Sequence, residues 1–347
     1  MYIILNEIKD QFFALEKTVK KVKEMEAPLT EQFMGAKKTV IFGSGSSYLL
    51  AKSMAAQLMQ LAGIPSYPVP AGDFLVQPED YAKAVRGALV VTISRSGSTS
   101  EIIMAVKKAK EMGALGCVSY CAVEKAEISA LSDLDVELPW CFDASVCQTR
   151  TVTNLYAALL LTAALCVKEK KIISSLERAP KLFEKYCGTY DTVFEDIGRY
   201  AWNHAVVLAD SSVAGLAEEG ALAFKEICQM NSNFYHVLDV RHGPMVMVNK
   251  DTLVIVFAAG QNKKLLQELI KDIQKKGALC VVFDCGMDRE VGEEICINLP
   301  KELDSRAAAL FMMYGIQRLT YEKAMRRRVN PDAPDGLDAW IKLEEVL

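Results

Sequence analysis

The chain of 347 residues is slightly acidic, with 40 Lys and Arg against 44 Asp and Glu and a formal net charge of −4. This balance predicts no basic face and argues against nucleic acid as a partner. The longest apolar run, residues 155–167, is too short to span a bilayer, and no signal peptide is recognisable. The ten cysteines form no CxxC pair, and none lies near a histidine at zinc-site spacing. We therefore expect a cytoplasmic protein with reduced thiols, no metal or organic cofactor and no membrane segment.

A leading helix is predicted over residues 1–34, where apolar residues recur with helical spacing among many charges. Short apolar strands then alternate with helices, which is typical of a parallel sheet covered on both faces. The predicted strands are 39–43, 88–93 and 116–123, and the predicted helices are 46–63, 99–112 and 149–167.

The second half of the chain repeats this plan in order and spacing, although the match is weak residue by residue. Residues 206–213, 254–262 and 278–285 align with 40–47, 90–98 and 114–121. We predict the α/β class, with two similar doubly wound, flavodoxin-like parallel-sheet domains in tandem. The predicted divisions are a leading helix at 1–34, a first domain at 35–170, a helical linker at 171–194, a second domain at 195–328 and a tail near the active site at 329–347.

One predicted strand ends in a run of hydroxyl side chains, VVTISRSGSTSEI over residues 90–102. The run opens directly onto a helix, so it presents free backbone N–H groups and the positive end of the helix dipole. In the second repeat the aligned residues are Ala258, Ala259 and Gly260, so the turn itself does not require hydroxyls. This difference makes the loop a candidate anion site, although serines also serve as helix caps and turn formers.

A neighbouring strand ends in GSGSS, residues 43–47. Ligands of open parallel sheets bind beyond the carboxyl ends of the strands, so the two loops together predict a cup for the phosphate of a small molecule. Arg95 would add a charged donor to this cup. Neither loop matches GxGxxG or GxxxxGKS/T, which argues against a dinucleotide or a nucleoside triphosphate.

Two carboxylates and a histidine within residues 217–248 are candidates for proton transfer. Glu219 and Glu226 are seven residues apart and share one face of a mostly apolar helix. Burying a carboxylate there is unfavourable without a partner or a task. His242 follows in the sequence RHGP, and the pKa values of both residue types can be moved towards neutrality. Taken singly, Glu226 is also compatible with an ion pair, and His242 with a structural role.

Together these segments resemble the SIS (sugar isomerase) domain family over nearly the whole chain, and most of all the isomerase half of glucosamine-6-phosphate synthase. The loop SxSGxT, followed in this order by EGAL, KE and HGP, is a specific signature. Stand-alone relatives of this size include deglycases, which cleave 6-phosphorylated Amadori compounds. The segments that carry the resemblance are NEIKDQ, GSGSS, SRSGSTSE, DASVCQTRTVTNL, EEGALAFKEI, RHGP and NPDAP.

The resemblance implies roles for individual residues. It implies that Glu226 moves a proton between sugar carbons 1 and 2, and that His242 opens the sugar ring in the active site of a neighbouring subunit. The minimal active unit would then be a homodimer. The residues implied to bind the 6-phosphate of the sugar are Ser46, Ser47, Ser94, Ser96 and Thr99, with Arg95 adjacent.

Residues 141–150 are expected to form the third wall of the site, with an ordinary loop capped into a helix as the alternative. Cys147 is expected to be a small apolar side chain rather than a nucleophile, because no histidine partner can be assigned to it. The residues expected to lie next to the substrate are Gly45, Gln148, Thr149, Arg150 and Glu219.

The chain also departs from the synthase pattern. It starts at Met1 with no room for a glutaminase domain, so glutamine is not expected as its nitrogen donor. Ala223 stands where the synthase has a lysine in its catalytic helix, and Ala339 stands near the position of its tail lysine. Lys342 is the candidate substitute for the latter. These losses disfavour plain synthase or isomerase chemistry.

Three functions are compatible with this reading. The favoured one is a deglycase or deaminase acting on an amino-sugar 6-phosphate. The second is an aldose–ketose phosphate isomerase. The third is a non-catalytic sensor of sugar phosphates, although residues 1–35 are too short for the DNA-binding domain that such regulators usually carry.

Overall fold

Two parallel sheets form the frame of the molecule in a computed structural model of the chain. The structure describes residues 2–259, 262–286, 294–338 and 343. The first sheet contains β1 (Thr39–Gly43), β2 (Ser66–Pro70), β3 (Leu89–Ser94), β4 (Gly116–Cys121) and β5 (Leu134–Glu137). The second contains β6 (His204–Leu208), β7 (Asn231–Tyr235), β8 (Thr252–Ala258), β9 (Leu279–Asp284) and β10 (Ile295–Asn298).

The two sheets have the same strand order. It is β2-β1-β3-β4-β5 in the first and β7-β6-β8-β9-β10 in the second, and all of these neighbours are parallel. This is the flavodoxin-like order, in which a crevice opens where the chain reverses its direction across the sheet. The predicted fold class, two similar α/β units in tandem, is confirmed.

Helices lie between and outside the sheets, and the first of them differs from its prediction. The expected leading helix over 1–34 is two helices that meet at Met25, whose backbone φ of −98° and ψ of 10° leaves the helical range. The helices are α1 (Ile3–Glu24), α2 (Glu26–Gly35), α3 (Ser46–Gln57), α4 (Ala71–Val76), α5 (Ala82–Val85), α6 (Ser100–Glu111), α7 (Arg150–Cys166), α8 (Lys170–Arg199), α9 (Ala214–Cys228), α10 (Lys263–Lys275) and α11 (Ser305–Arg327).

The segment predicted as a linker, 171–194, lies inside one longer helix, α8. Its buried side chains include Ile172 and Leu176 near its start and Phe194 and Ile197 near its end. They belong to the same apolar core as the helices beside them, so α8 is part of the packed interior rather than a solvated connection between domains. Burial of both of its ends explains why the helix extends beyond the predicted bounds.

Four strands were not predicted from the sequence: β2, β5, β7 and β10. All four are at the edges of their sheets, and each mixes buried with exposed or half-buried residues. Edge strands have one unpaired side and tolerate polar residues and proline. The long apolar run that marked the central strands is therefore absent from them.

The central layer of helices connects the two units. The largest apolar core takes in residues of both sheets together with α1, α3, α7, α8, α9 and α11, whereas separate cores lie under α4 to α6 and under α10. Helices α3 and α9 are so close that a Cβ on Gly215 would lie 2.2 Å from the carbonyl oxygen of Leu49. The N–H of Leu216 donates to the Ser53 hydroxyl at 3.0 Å. This contact brings a helix of the second unit to the ligand edge of the first.

None of the helices in the described parts of the chain is both long and apolar enough to cross a membrane.

Candidate active site

A cavity of about 230 Å³ opens at the carboxyl ends of β1 and β3, where the order of the first sheet reverses. Both hydroxyl-rich loops, one helix of the second unit and part of the tail contribute to its walls. The lining residues are Ser44, Gly45, Ser46, Ser47, Ile93, Ser94, Arg95, Ser96, Thr99, Glu101, Ile102, Val146, Gln148, Glu226, Leu337 and Asp338.

The loop after β1 turns sharply because of its glycines. Gly45 has a φ of +53°, which favours glycine. A Cβ on Gly43 would lie 2.4 Å from the backbone carbonyl carbon of Ser47. This tight turn starts α3 at Ser46 directly over the end of the strand. The N-terminus of α3 and the residues Ser46 and Ser47 therefore lie at the cavity.

The loop after β3 gathers three hydroxyl groups at one place. The Thr99 hydroxyl lies 3.3 Å from that of Ser94 and 3.5 Å from that of Ser96. The Ser94 hydroxyl also accepts the N–H of Gly97 at 3.0 Å, and the Ser96 hydroxyl accepts the N–H of Ser98 at 3.2 Å. The serines thus shape the turn and still present oxygen atoms to the cavity, so their structural role and the predicted binding role are compatible.

Arg95 lines the cavity beside the hydroxyl loops and also bonds the loop behind it. It is buried, and its Nη1 donates to the carbonyl oxygens of Ser145 at 3.0 Å and Val146 at 2.9 Å. Arg95 therefore holds the third wall of the cavity from inside. Burial lowers the pKa of its guanidinium, and nearby acidic groups including Glu226 partly offset this effect.

Only part of the predicted third wall faces the cavity. Gln148 and Val146 line it, but Thr149 and Arg150 do not. Thr149 is fully buried, and its N–H donates to a carboxylate oxygen of Asp143 at 2.7 Å. Arg150 begins α7, and its guanidinium turns away to Asp10 of α1 at 2.8 Å. The expectation that these two residues lie beside the substrate is corrected, because each is engaged behind the loop.

The neighbouring Cys147 is buried, and burial raises the pKa of its thiol far above the ordinary value. The thiol is therefore neutral at physiological pH, which agrees with its expected role as a small apolar side chain rather than a nucleophile.

Two carboxyl groups on α9 have different surroundings. Glu226 reaches the cavity; burial raises its pKa to about 7, against the opposing effects of Arg95 and Lys225. Glu219 is 1% exposed and does not line the cavity. Neither of its carboxyl oxygens has a hydrogen-bond partner of regular geometry. Burial, and then the charge of Glu226, raise its pKa well above the ordinary range, although the Ser46 hydroxyl partly offsets the rise.

The pKa values of both carboxyl groups on this helix face are raised. Burial raises the pKa of Glu219 well above its usual range, whereas Glu226, with a pKa of about 7, can gain or lose a proton near neutral pH. A group with such a pKa is suited to act as a general base and then as a general acid. Ala223, between the two, is buried and adds no charge.

Comparison with known proteins gives a match to the model described as SIS domain over residues 32–166 and 200–321, which is well over half of the chain. The chain belongs to the SIS domain family. The two matched regions correspond to the two sheets, and their bounds differ by several residues from the predicted domains at 35–170 and 195–328.

Individual SIS relatives carry different names. The chain is 29% identical over 337 residues to the glutamine–fructose-6-phosphate aminotransferase (isomerizing) of Pseudomonas syringae, which covers 90% of this chain and 53% of that protein. The chain thus spans about half the length of the curated relatives that it matches. Its fold is similar to that of a glucosamine-6-phosphate deaminase from Thermotoga maritima (TM-score 0.74, 24% identity, 98% of this chain and 99% of that one). It is also similar to the tagatose-6-phosphate ketose/aldose isomerase of Escherichia coli (TM-score 0.84, 19% identity, 97% of both chains).

His242 does not line the cavity of its own SIS chain. It follows a short helical turn, Asp239–Arg241, and is exposed. Val246 and Met247 in the next turn are 77% and 62% exposed. Among the lining residues in the described part of the chain there is no histidine, so a histidine could reach this cavity only from elsewhere.

Several lining residues were not predicted from the sequence. Glu101 is in the first turn of α6, directly after the hydroxyl loop, so its position near the cavity could have been inferred from the sequence. Leu337 and Asp338 come from the tail, which was expected near the active site, but no local pattern marks these two residues because their position depends on long-range packing. Ala339 and Lys342 lie outside the described residues.

Within the residues that the structure describes, no cluster of three or more His, Cys, Asp or Glu side chains is arranged to hold a metal ion.

Proposed function

We propose that this SIS protein is a deglycase or deaminase that releases an amine from an amino-sugar 6-phosphate. The observation that carries the proposal is the position of Glu226, whose carboxyl group, with a pKa of about 7, shares one cavity with the two hydroxyl-rich loops. A proton-transfer group and an anion cup in one cavity are what an enolising phosphosugar enzyme requires.

The hydroxyl loops form the phosphate end of the proposed site. Helices α3 and α6 both begin there, so their free N–H groups and dipoles favour a bound anion. The bound phosphate would then fix the far end of the sugar and set the distance of carbons 1 and 2 from Glu226. Such positioning is a large part of the catalysis of small phosphosugars.

The remaining charges of the cavity favour a substrate that carries an amine. Glu101, Glu226 and Asp338 are acidic lining residues, whereas Arg95 is the one cationic side chain among the described lining residues. Two of the bonds of Arg95 go to loop carbonyls. A protonated amine near carbons 1 and 2 would offset this acidic excess, whereas the same end of a plain sugar 6-phosphate is uncharged and would not. This observation favours the deglycase or deaminase over the plain isomerase.

The proposed reaction needs only proton transfers and water. For a ketose amine, the Glu226 carboxylate removes a proton from carbon 1, which gives an enaminol. Return of a proton to carbon 2 converts the C1–N bond to an imine. Water adds to carbon 1, the C–N bond breaks, and the amine leaves with a proton. The products are the free amine and an aldose 6-phosphate, so the net reaction is hydrolysis.

The proposed role of His242 is to open the sugar ring in the site of a second subunit. Its exposure and its absence from its own cavity support this assignment. The exposed apolar side chains of Val246 and Met247 beside it are typical of a surface that is covered by another chain. In this proposal the homodimer is the smallest active form.

An aldose–ketose phosphate isomerase is the second candidate. The same base and the same phosphate cup would suffice for it, and the Escherichia coli protein of this fold carries such a name. A sensor is the third candidate, and it would bind a sugar phosphate without turnover.

The first experiment is an assay in D2O with fructose 6-phosphate, glucosamine 6-phosphate and 6-phosphorylated Amadori compounds, followed by proton NMR. We expect release of free amine together with a sugar 6-phosphate. Interconversion or deuterium uptake at carbon 1 or 2 without amine release would replace the proposal by the isomerase. Binding of a sugar phosphate without any change in the spectrum would support the sensor.

The pH dependence provides a test of the base. Glu226 acts as a carboxylate, so kcat/KM should be at its maximum above the pKa of about 7 and fall as the pH decreases through that value. Lys225 is exposed and lowers this pKa. Replacing Lys225→Gln should therefore move the midpoint of the profile to higher pH. An unchanged midpoint in this variant would show that another group is being titrated.

The hydroxyl cluster gives a second test. Thr99→Val keeps the shape of the side chain and removes its hydroxyl, so we expect the Kd for fructose 6-phosphate to rise about tenfold. Ser98→Ala is the matched control, because Ser98 is in the same loop and does not line the cavity. Titration calorimetry measures both. Equal effects in the two variants would assign the loss to the fold of the loop rather than to phosphate binding.

A further inference from the structure

Helix α1 reaches the back of the cavity wall through one buried acid. Glu7 is 4% exposed. Its Oε1 accepts the N–H of Ala144 at 2.6 Å and that of Ser145 at 3.3 Å, and its Oε2 accepts the Ser145 hydroxyl. One carboxylate thus takes three donors from two consecutive residues of the loop that carries Gln148.

The other side of the same loop is held by different elements. Arg95 bonds the carbonyl oxygens of Ser145 and Val146, and the N–H of Val146 donates to the carbonyl oxygen of Asp332 at 2.9 Å. The polar backbone groups at 144–146 are therefore engaged from three directions. Charge-assisted bonds of this kind are the stronger class of hydrogen bond.

A second acid of α1 holds the end of the loop. Asp10, three residues after Glu7 and so on the same helix face, accepts Nη1 of Arg150 at 2.8 Å. The Nη2 of Arg150 donates to the carbonyl oxygen of Phe142. The helix thus contacts the loop in its middle through Glu7 and at its end through Asp10, and Arg150 links that end back to Phe142.

The loop that α1 holds is part of the active-site wall. Val146 and Gln148 line the cavity, and neither contacts α1 in the hydrogen bonds described above. Any effect of Glu7 on a ligand must therefore pass through the loop backbone. Active-site side chains displaced by about 1 Å can lose roughly 10²-fold in rate, so the precision of this backbone matters.

We propose that Glu7 is a positioning residue, which holds residues 144–146 so that Gln148 remains at the cavity. The loop clamp itself is independent of the reaction, whereas its effect on ligand affinity rests on the proposed function. Without the Glu7 carboxylate, the N–H groups of Ala144 and Ser145 lose this acceptor, and the Ser145 hydroxyl keeps only the carbonyl oxygen of Cys147 at 3.0 Å. The loop then gains conformations in which Gln148 leaves the wall.

The test compares Glu7→Gln and Glu7→Ala with two controls on the same helix. Glu16→Gln changes an exposed acid, and Ile8→Val changes a fully buried neighbour without touching the loop. Hydrogen exchange of the peptide 141–149 measures how firmly residues 144–146 are held. The effect on the candidate site is measured by the calorimetric affinity for fructose 6-phosphate and by the kcat and KM of the substrate found in the NMR assay.

For Glu7→Ala we expect amide exchange at 144–145 to be at least about tenfold faster and the Kd for fructose 6-phosphate to be about tenfold higher. Glu7→Gln, which keeps one acceptor oxygen, should be intermediate. Ile8→Val, even with a similar fall in Tm, and Glu16→Gln should change neither quantity.

Unchanged exchange at 144–145 in Glu7→Ala would overturn the proposal. The same loss of affinity in Ile8→Val would also overturn it, since the effect would then follow global stability. Failure of the wild-type protein to bind fructose 6-phosphate and to turn over the panel would contradict the proposed function, and the exchange data would still decide the clamp.

Discussion

Replacing Glu226→Gln is expected to lower kcat about 10³-fold on the substrate that the wild-type protein turns over. The amide has the shape of the carboxyl group but cannot take a proton from carbon 1 or 2. The Kd of the substrate should change little, because the hydroxyl loops that bind the phosphate end are untouched. Steady-state kinetics and calorimetry on the same preparation separate these two effects.

Stability measurements on this variant show whether the fold is intact. Burial raises the pKa of Glu226 from 4.5 to about 7, so between these values the folded chain binds more protons than the unfolded chain. The free energy of unfolding contributed by this group therefore falls as the pH rises through the window. Glu226→Gln removes the buried charge, and its Tm should exceed that of the wild type at pH 8 but not at pH 5.

Glu218→Gln is the matched control for the kinetics. Glu218 is on the same helix, but it forms a surface ion pair with Lys52 at 2.7 Å, and exposed pairs contribute little to stability. Its kcat should remain within about twofold of the wild type. If Glu226→Gln retained more than a tenth of the wild-type kcat, Glu226 would not be the base.

Mixing two inactive variants should restore activity if His242 acts in the partner's site. Glu226→Gln and His242→Asn are each expected to be inactive alone. In a hybrid dimer, one site loses both residues and the other keeps both. With random reassortment half of the dimers are hybrids, so about a quarter of the wild-type activity should return.

The outcome of mixing distinguishes a His242 that acts in the partner's site from a His242 that acts within its own chain. If His242 acted within its own chain, every site of the hybrid would lack one group and no activity would return. Mixing Glu226→Gln with Glu226→Ala is a suitable control, since every site would lack the Glu226 carboxylate however the subunits exchange. The exchange should be run after a dilution step, and the fraction of dimer should be followed by sedimentation.

The central strands and the hydroxyl loops could be predicted because local sequence determines them. β1 and β3 are continuous apolar runs, and the loop glycines and serines mark where they end. The edge strands could not be predicted in this way, because their pairing depends on a neighbour and not on their own composition. The ends of α8 were missed for a similar reason, since its buried stripe has meaning only against the helices that cover it.

The candidate site, like the fold, could be predicted only in part. Sequence identified Glu226 and the serines, whose types and spacing suit the chemistry. It predicted that Arg150 lies near the substrate, but a long side chain can turn either way. Arg95 does line the cavity, although the sequence did not show that it also bonds the loop. In the structure, carbonyl oxygens of the loop and the carboxylate of Asp10 decide the direction of these two side chains. The contribution of Asp338 depends on where the tail passes, which no short pattern encodes.

The second sheet has the same strand order as the first, but the end of β8 carries Ala258 and Ala259 where the end of β3 carries Ser94 and Arg95. This copy instead supplies α9, with Glu226, to the cup of the first. In the proposed function, the residues that bind the anion and the residue that transfers the proton therefore belong to different halves of one duplicated frame. On that proposal, substitutions on α9 would change the reaction while leaving the phosphate-binding loops unaltered, so a new activity could arise without a new binding site.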